Sequence, residues 1–148
     1  MEVYTMAVLK NRPLVWASIT VPNTTYEPVY SVNVIVDDAT AKDFESRGFK
    51  IKQMEEGPAV VVKRKVNGPN GLIRPAPKLF DKSKQEIDVS VGNGSVGNVQ
   101  YKEWEVTRQG QTYKGLDLQA VQILDLVTYN QAGDEFSVEE SLEEEDEL

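Results

Sequence analysis

In stretch after stretch of this chain, apolar side chains recur at every second residue, and its fold must satisfy that period. Between Leu14 and Val21, Val15, Ala17, Ile19 and Val21 alternate with Leu14, Trp16, Ser18 and Thr20. Between Tyr30 and Val36, Tyr30, Val32, Val34 and Val36 alternate with Ser31, Asn33 and Ile35. Successive side chains of a strand point to opposite faces, so each run predicts a strand with one buried face. Ala59 to Val66, Ile87 to Val91 and Val99 to Val106 read the same way, and Leu116 to Tyr129 reads as a longer apolar strand. One helix interrupts the series. Asp37 and Asp38 offer N-caps, Ala39 to Arg47 forms the body, and Gly48 supplies the left-handed stop. A mainly β chain of about five or six strands, with one short helix between early strands, predicts a small closed or half-closed barrel of OB-fold type. A two-sheet sandwich is the alternative.

At 148 residues the chain has room for one body with a real core and not for two. Its net charge of −8 argues at first against a polyanionic ligand. That average hides a strong asymmetry. Asp134, Glu135, Glu139, Glu140, Glu143, Glu144, Glu145, Asp146 and Glu147 crowd the end of the chain, without a base among them up to Leu148. The rest holds 15 acids and 16 bases. Arg47 to Lys84 alone carries ten bases against Glu55, Glu56 and Asp81. The period-two pattern also stops after Asn130. Phe136, Val138 and Leu142 are too few apolar groups to offset an ordering entropy of roughly 1–2 kcal/mol per residue. The expectation is a body over 1–130 and a disordered acidic tail over 131–148.

Cysteine and histidine are both absent. Disulfides, thiolate and imidazole metal ligands, Ser-His-Asp triads and Cys nucleophiles are thereby excluded, and no metal or cofactor is expected. The opening MEVYTMAVLKNRP has neither a basic leader nor an apolar run of signal length, and no stretch approaches the roughly 18 apolar residues of a membrane span. A soluble, cytoplasmic protein that is not an enzyme is the expectation. Gly92-Asn93-Gly94-Ser95-Val96-Gly97 spells a dinucleotide-binding G-x-G-x-x-G. That motif needs a helix starting at its third glycine, whereas Asn98 to Val106 alternates like a strand, so a glycine turn is expected.

The strongest chemical signal is Lys63-Arg64-Lys65 on a strand, followed by the loop Asn67-Gly68-Pro69-Asn70-Gly71 and then Arg74 and Lys78. Alternation sets Lys63 and Lys65 on one face with Val61, and Arg64 on the other. An edge strand guarded by lysines is the ordinary reading. Trp16 and Trp104 favour the other one. Trp16 lies on the more polar face of its strand, and Trp104 shares a face with Gln100 and Lys102, a placement that sets a ring beside a cation, with core packing as the alternative for each. Base stacking on such rings contributes roughly 1–3 kcal/mol per base without reading sequence. A groove lined by Lys63, Arg64, Lys65, Arg74, Lys78 and Lys102, with Trp16 and Trp104 as platforms, is therefore expected to bind single-stranded DNA. The alternatives are a metal-dependent nuclease, using Glu103 and Glu105 with Asp88, Asp117 or Asp125 nearby, and a structural or inhibitory protein whose acidic tail mimics DNA.

Pro77-Lys78-Leu79-Phe80-Asp81, the glycine segment through Val99, Gly115 to Val127 and the acidic tail together resemble the single-stranded DNA-binding proteins of lytic podovirus-type phages. The resemblance covers the C-terminal half well and the first half in architecture. It implies an OB-fold body coating unwound DNA in replication, recombination and repair, no catalysis, and often a homodimer. It also implies a tail that competes with DNA for the basic groove and contacts the replicative polymerase and helicase-primase. Family tails commonly end in an aromatic residue, where this one has Leu148.

Overall fold

One 22-residue strand, β1 (Glu2–Asn23), pairs with two different neighbours and forms the bend around which the sheet curls. The computed structural model describes residues 2–128. After β1 come β2 (Val29–Ile35), α1 (Asp38–Ser46), β3 (Ile51–Met54), β4 (Gly57–Lys65), β5 (Lys78–Phe80), β6 (Ser95–Arg108) and β7 (Gln111–Asp125). Five of them, in the order β4-β2-β1-β6-β7, form a closed barrel, because β7 returns to β4 through a parallel bridge at Lys63↔Asp117. β3 extends the free half of the β4 edge, and β5 runs parallel to β7. The OB-like barrel with one helix expected from the strand pattern is what the chain forms.

A strand this long must bend, and β1 does so at irregularities in its ladders, two of which carry a left-handed residue. One lies between Leu9 and Arg12 against β6, where Asn11 has φ 56° and gives its N–H to Asn98 Oδ1 at 2.8 Å. The other lies between Val15 and Ser18 against β2, where Trp16 has φ 52°. Inserted residues of this kind sharpen twist and let a barrel close. The second also changes which side chains face inward. Strict alternation groups Val15 with Ala17 and Ile19, yet Leu14 and Ile19 share the main core while Val15 joins Ile35, Ala59 and Met54 in a separate cluster.

The main core is built from the inward faces of the barrel, including Val32, Val34, Val60, Val62, Val99, Leu118 and Val121. α1 covers one end. Asp37 caps it by accepting the Thr40 N–H at 2.7 Å, and these Thr40 contacts hold the Asp37 carboxyl below the usual carboxylate range. Phe44 then packs against Phe49 and Tyr101. Arg47 fastens the helix end to β6 through a two-pronged bond to Glu103 at 2.7 Å while lying over the Phe44 ring. Gly48 has φ 95° and ends the helix as expected.

Three expectations need correction. Residues 2–13 belong to β1, and β3 and β5 are additional short strands. Ile87 to Val91 is not a strand: Phe80↔Glu86 forms an isolated bridge and the Ile87 N–H bonds Leu79 O at 2.9 Å. Both contacts are to β5, which at three residues is too short to support a longer ladder. Third, the strand reading to Tyr129 overshoots, since β7 ends at Asp125. The expected 131–148 tail lies outside the described residues.

The glycine segment opens β6 instead of a helix. Gly92 gives its N–H to Val127 O at 2.6 Å, and Gly94, at φ 94°, gives its own to Leu14 O at 3.0 Å. Gly97 is needed for close approach, since a Cβ there would stand 2.6 Å from the Gln122 carbonyl oxygen. Gly97→Ala is expected to lower unfolding free energy by about 1–3 kcal/mol in a denaturant titration, the usual cost of overpacking.

Candidate nucleic-acid interface

The strand registers assemble a surface that sequence order does not reveal. On the outside of the barrel, Asp117 of β7 lies opposite Lys63 on one side and Lys102 on the other, and Lys102 in turn lies opposite Met6. A second row, three residues on, runs Lys78, Ala120, Gln100, Val8. A third runs Phe80, Gln122, Asn98. Adjacent strands are about 4.8 Å apart, so Lys63, Lys78 and Lys102 surround β7 within a few strand widths. Met6 and Val8 are about half exposed beside them. Three of the expected cations thus come together, on β4, β5 and β6.

The carboxylate in this array is neutralised from behind. Arg64 points to the opposite face from Lys63, reaches across the barrel seam, and places Nη1 2.9 Å from Asp117 Oδ2. Its Nε bonds Pro75 O at 3.0 Å, and Gln119 also donates to Asp117 Oδ2 at 2.7 Å. With only 16% of its side chain exposed, Arg64 is engaged at the seam; its contribution to the surface is the charge it cancels. Lys65 is exposed and stands 3.8 Å from Glu27, a separation at which a solvated pair contributes little. Arg74 lies beside the end of β4, its N–H on Val66 O at 2.8 Å and its Nη1 near the Lys65 and Asn67 carbonyls at 3.5 Å.

Trp104 extends the array toward the β6–β7 hairpin. It lies opposite Gly115, and a Cβ on Gly115 would stand 2.4 Å from the indole, so the ring covers the bare glycine backbone. Beyond it, Val106, Arg108 and Tyr113 line a concavity of about 490 Å³ with Trp104. The hairpin closes at Gln109 (φ 52°) and Gly110 (φ 77°), two left-handed residues as a tight primed turn requires. Trp16 sits elsewhere. It is 59% exposed, which sets it outside the core, but it lies within the second irregularity of β1 and is tied by its N–H to Asn93 Oδ1 at 2.8 Å. The register does not set it beside the lysine array.

Several residues of this surface escape sequence reading. Phe80, Lys10 and Lys84 line a second concavity of about 330 Å³ next to the array. Their common location depends on the parallel β5–β7 pairing, which leaves no local signal. Tyr26, 90% exposed in the β1–β2 loop, has a weak one: an aromatic residue between turn residues and Pro28.

The carboxylates of the nuclease alternative are held apart by bases. Glu103 is bound to Arg47, Glu105 faces Lys114 at 3.6 Å, and Asp117 faces Arg64. Among the described residues no three acids converge as a metal site would require, and no helix among them is long and apolar enough to cross a membrane.

No known family's sequence profile matches the chain. No curated protein matches it by sequence. Solved structures do. The single-stranded DNA-binding protein gp2.5 of bacteriophage T7 superposes with a TM-score of 0.57 at 15% identity, over 93% of this chain and 96% of that one. The barrel has the fold of phage single-stranded DNA-binding proteins. The single-stranded DNA-binding protein of bacteriophage Enc34 superposes with a TM-score of 0.57 at 11% identity, over 85% of this chain and 84% of that one. The Enc34 protein in complex with single-stranded DNA gives 0.53 at 11% identity, over 81% and 86%.

The seam can be tested directly. Arg64→Ala is expected to cost about 1.5–3 kcal/mol, the range for hydrogen bonds to charged groups, measured by chemical denaturation. Adding Asp117→Asn should recover part of that loss, because the carboxylate left without its partner is then gone.

Proposed function

We propose that this protein binds single-stranded DNA without sequence preference, along the outer face of β7 and its neighbours. The observation that carries this reading is the register that surrounds β7 with Lys63, Lys78 and Lys102 and continues into Trp104. Lysines supply phosphate contacts, and an indole flattened over Gly115 offers a stacking surface to a base. Arg64 supports binding by cancelling Asp117. Lys65 and Arg74 continue the positive surface at the end of β4. The two phage proteins that share the fold, one of them solved with single-stranded DNA, favour the same ligand. The pairing of Glu103, Glu105 and Asp117 with bases favours binding over hydrolysis.

If about four phosphates are neutralised, log K against log salt falls with a slope near −3, at about 0.7 per contact. Lys63→Ala and Lys102→Ala should each make the slope shallower by about 0.7. Trp104→Ala should weaken oligo-dT binding by about 1–3 kcal/mol while leaving the slope unchanged. Fluorescence titrations at several salt concentrations measure all three variants. An affinity independent of salt contradicts the reading.

The acidic end of the chain has a role in the same electrostatics. It holds nine carboxylates over 134–148 and departs from a fixed point, since Val127 is held by Gly92 and by the Ser95 hydroxyl, which accepts the Val127 N–H at 2.8 Å. Tethered there, it reaches an effective concentration on the order of millimolar around the body and competes with DNA for the lysines. DNA binding then releases it to recruit replication proteins such as the polymerase and helicase-primase. Removing residues 134–148 should tighten oligo-dT binding, most strongly at low salt. Equal affinity with and without the segment, measured at low salt, contradicts the competition.

A further inference from the structure

We propose that the concavity bordered by β5, β6 and β7 is a discrete subsite for one nucleobase of the bound strand, an inference that rests on the single-stranded DNA reading above. The hollow measures about 330 Å³. Val8 and Ala120 give it an apolar floor, and Phe80 contributes a partly buried ring. Gln100 lies in the row between Val8 and Ala120 and brings an amide donor and acceptor to the same floor.

The other lining amides are engaged in holding the site. Asn98 Nδ2 donates to Gln122 Oε1 at 3.0 Å, Asn98 Oδ1 accepts the Asn11 N–H, and Gln122 Nε2 reaches Lys82 O at 3.4 Å. That leaves Gln100 as the amide to meet the polar edge of a base, while Phe80 offers a face for stacking.

Lys10 and Lys84 stand at the rim. Lys84 is held in an unfavourable left-handed conformation, φ 67°, by a tight loop. Asp81 Oδ1 accepts the N–H groups of Ser83 and Gln85 at 2.9 Å, and Asp81 and Gln85 are joined again by a backbone bond at 2.9 Å. A flat apolar hollow with one amide and a cation on either side fits a base carried on a phosphodiester backbone, and the prebuilt loop lowers the ordering cost of binding it.

The test compares oligo-dT with an abasic phosphodiester strand of equal length, using the full chain. Phe80→Leu retains an apolar side chain and removes the aromatic face; Phe80→Ala removes both. Each is expected to weaken oligo-dT binding about 5- to 150-fold, the loss of one base stack, with little change on the abasic strand or in salt slope. Lys10→Ala and Lys84→Ala should instead weaken both ligands and make the slope shallower by about 0.7 each. If Phe80→Ala unfolds, Phe80→Leu with a wild-type thermal melt decides. Unchanged oligo-dT binding by Phe80→Leu, or an equal loss on both strands, overturns the subsite and leaves the DNA reading standing. A wild-type protein that binds neither strand overturns both.

Discussion

The closure of the barrel at β4 and β7 is the contact on which the remaining structure depends. It consists of one parallel bridge, Lys63↔Asp117, reinforced by the Arg64–Asp117 ion pair and by Arg64 donating to Pro75 O. A seam with so little ladder needs side-chain support. Arg64 is suited to that work because its planar fork bonds a carboxylate and a carbonyl at once, and because the pair is shielded enough for those bonds to count. Without the seam, the barrel opens into a sheet that ends in β3 and β5.

The same contact organises the proposed interface. Closure brings Lys63 of β4 into a row with Lys102 of β6, residues far apart along the chain. The ion pair that secures the seam also removes the negative charge of Asp117 from the centre of the lysine array. Structural and electrostatic demands are met by one arginine. The helix is fastened separately, with Arg47 and Glu103 fixing α1 over Tyr101, whose hydroxyl is pushed up in pKa mainly by burial. The outer face of β1, β2 and β4 near Val15, Ile35 and Ala59 is packed with Met54, which leaves the β7 side as the more open sheet surface.

Much of the fold was legible because most strands carry one buried face. Tyr30 to Val36 and Ala59 to Val66 read correctly for that reason, and α1 for its Asp37 cap and Gly48 stop. The first half of β1 did not, since Met6 and Val8 are apolar on its exposed face and blur the alternation. β3 and β5 are too short to show a period. The inserted Trp16 shifts the register inside one strand, which no local pattern announces, so Leu14 and Val15 exchange faces. For the interface, Lys63, Lys102 and Trp104 were legible as basic and aromatic residues on strands, and Lys78 as a base following a loop. Their convergence, the seam role of Arg64 and the inclusion of Phe80 depend on pairings between distant segments.

The central claim is that the outer face of β7 and its neighbours is where a single strand binds. Backbone amide chemical shifts, followed as oligo-dT is added to the protein, test it most directly. The account predicts that the largest changes fall on Lys63, Lys78, Gln100, Lys102 and Trp104, with little change at Ser18, Ser31 or Trp16. Changes concentrated on the β1–β2 face around Trp16 and Ser31, with the β7 rows unmoved, would contradict it.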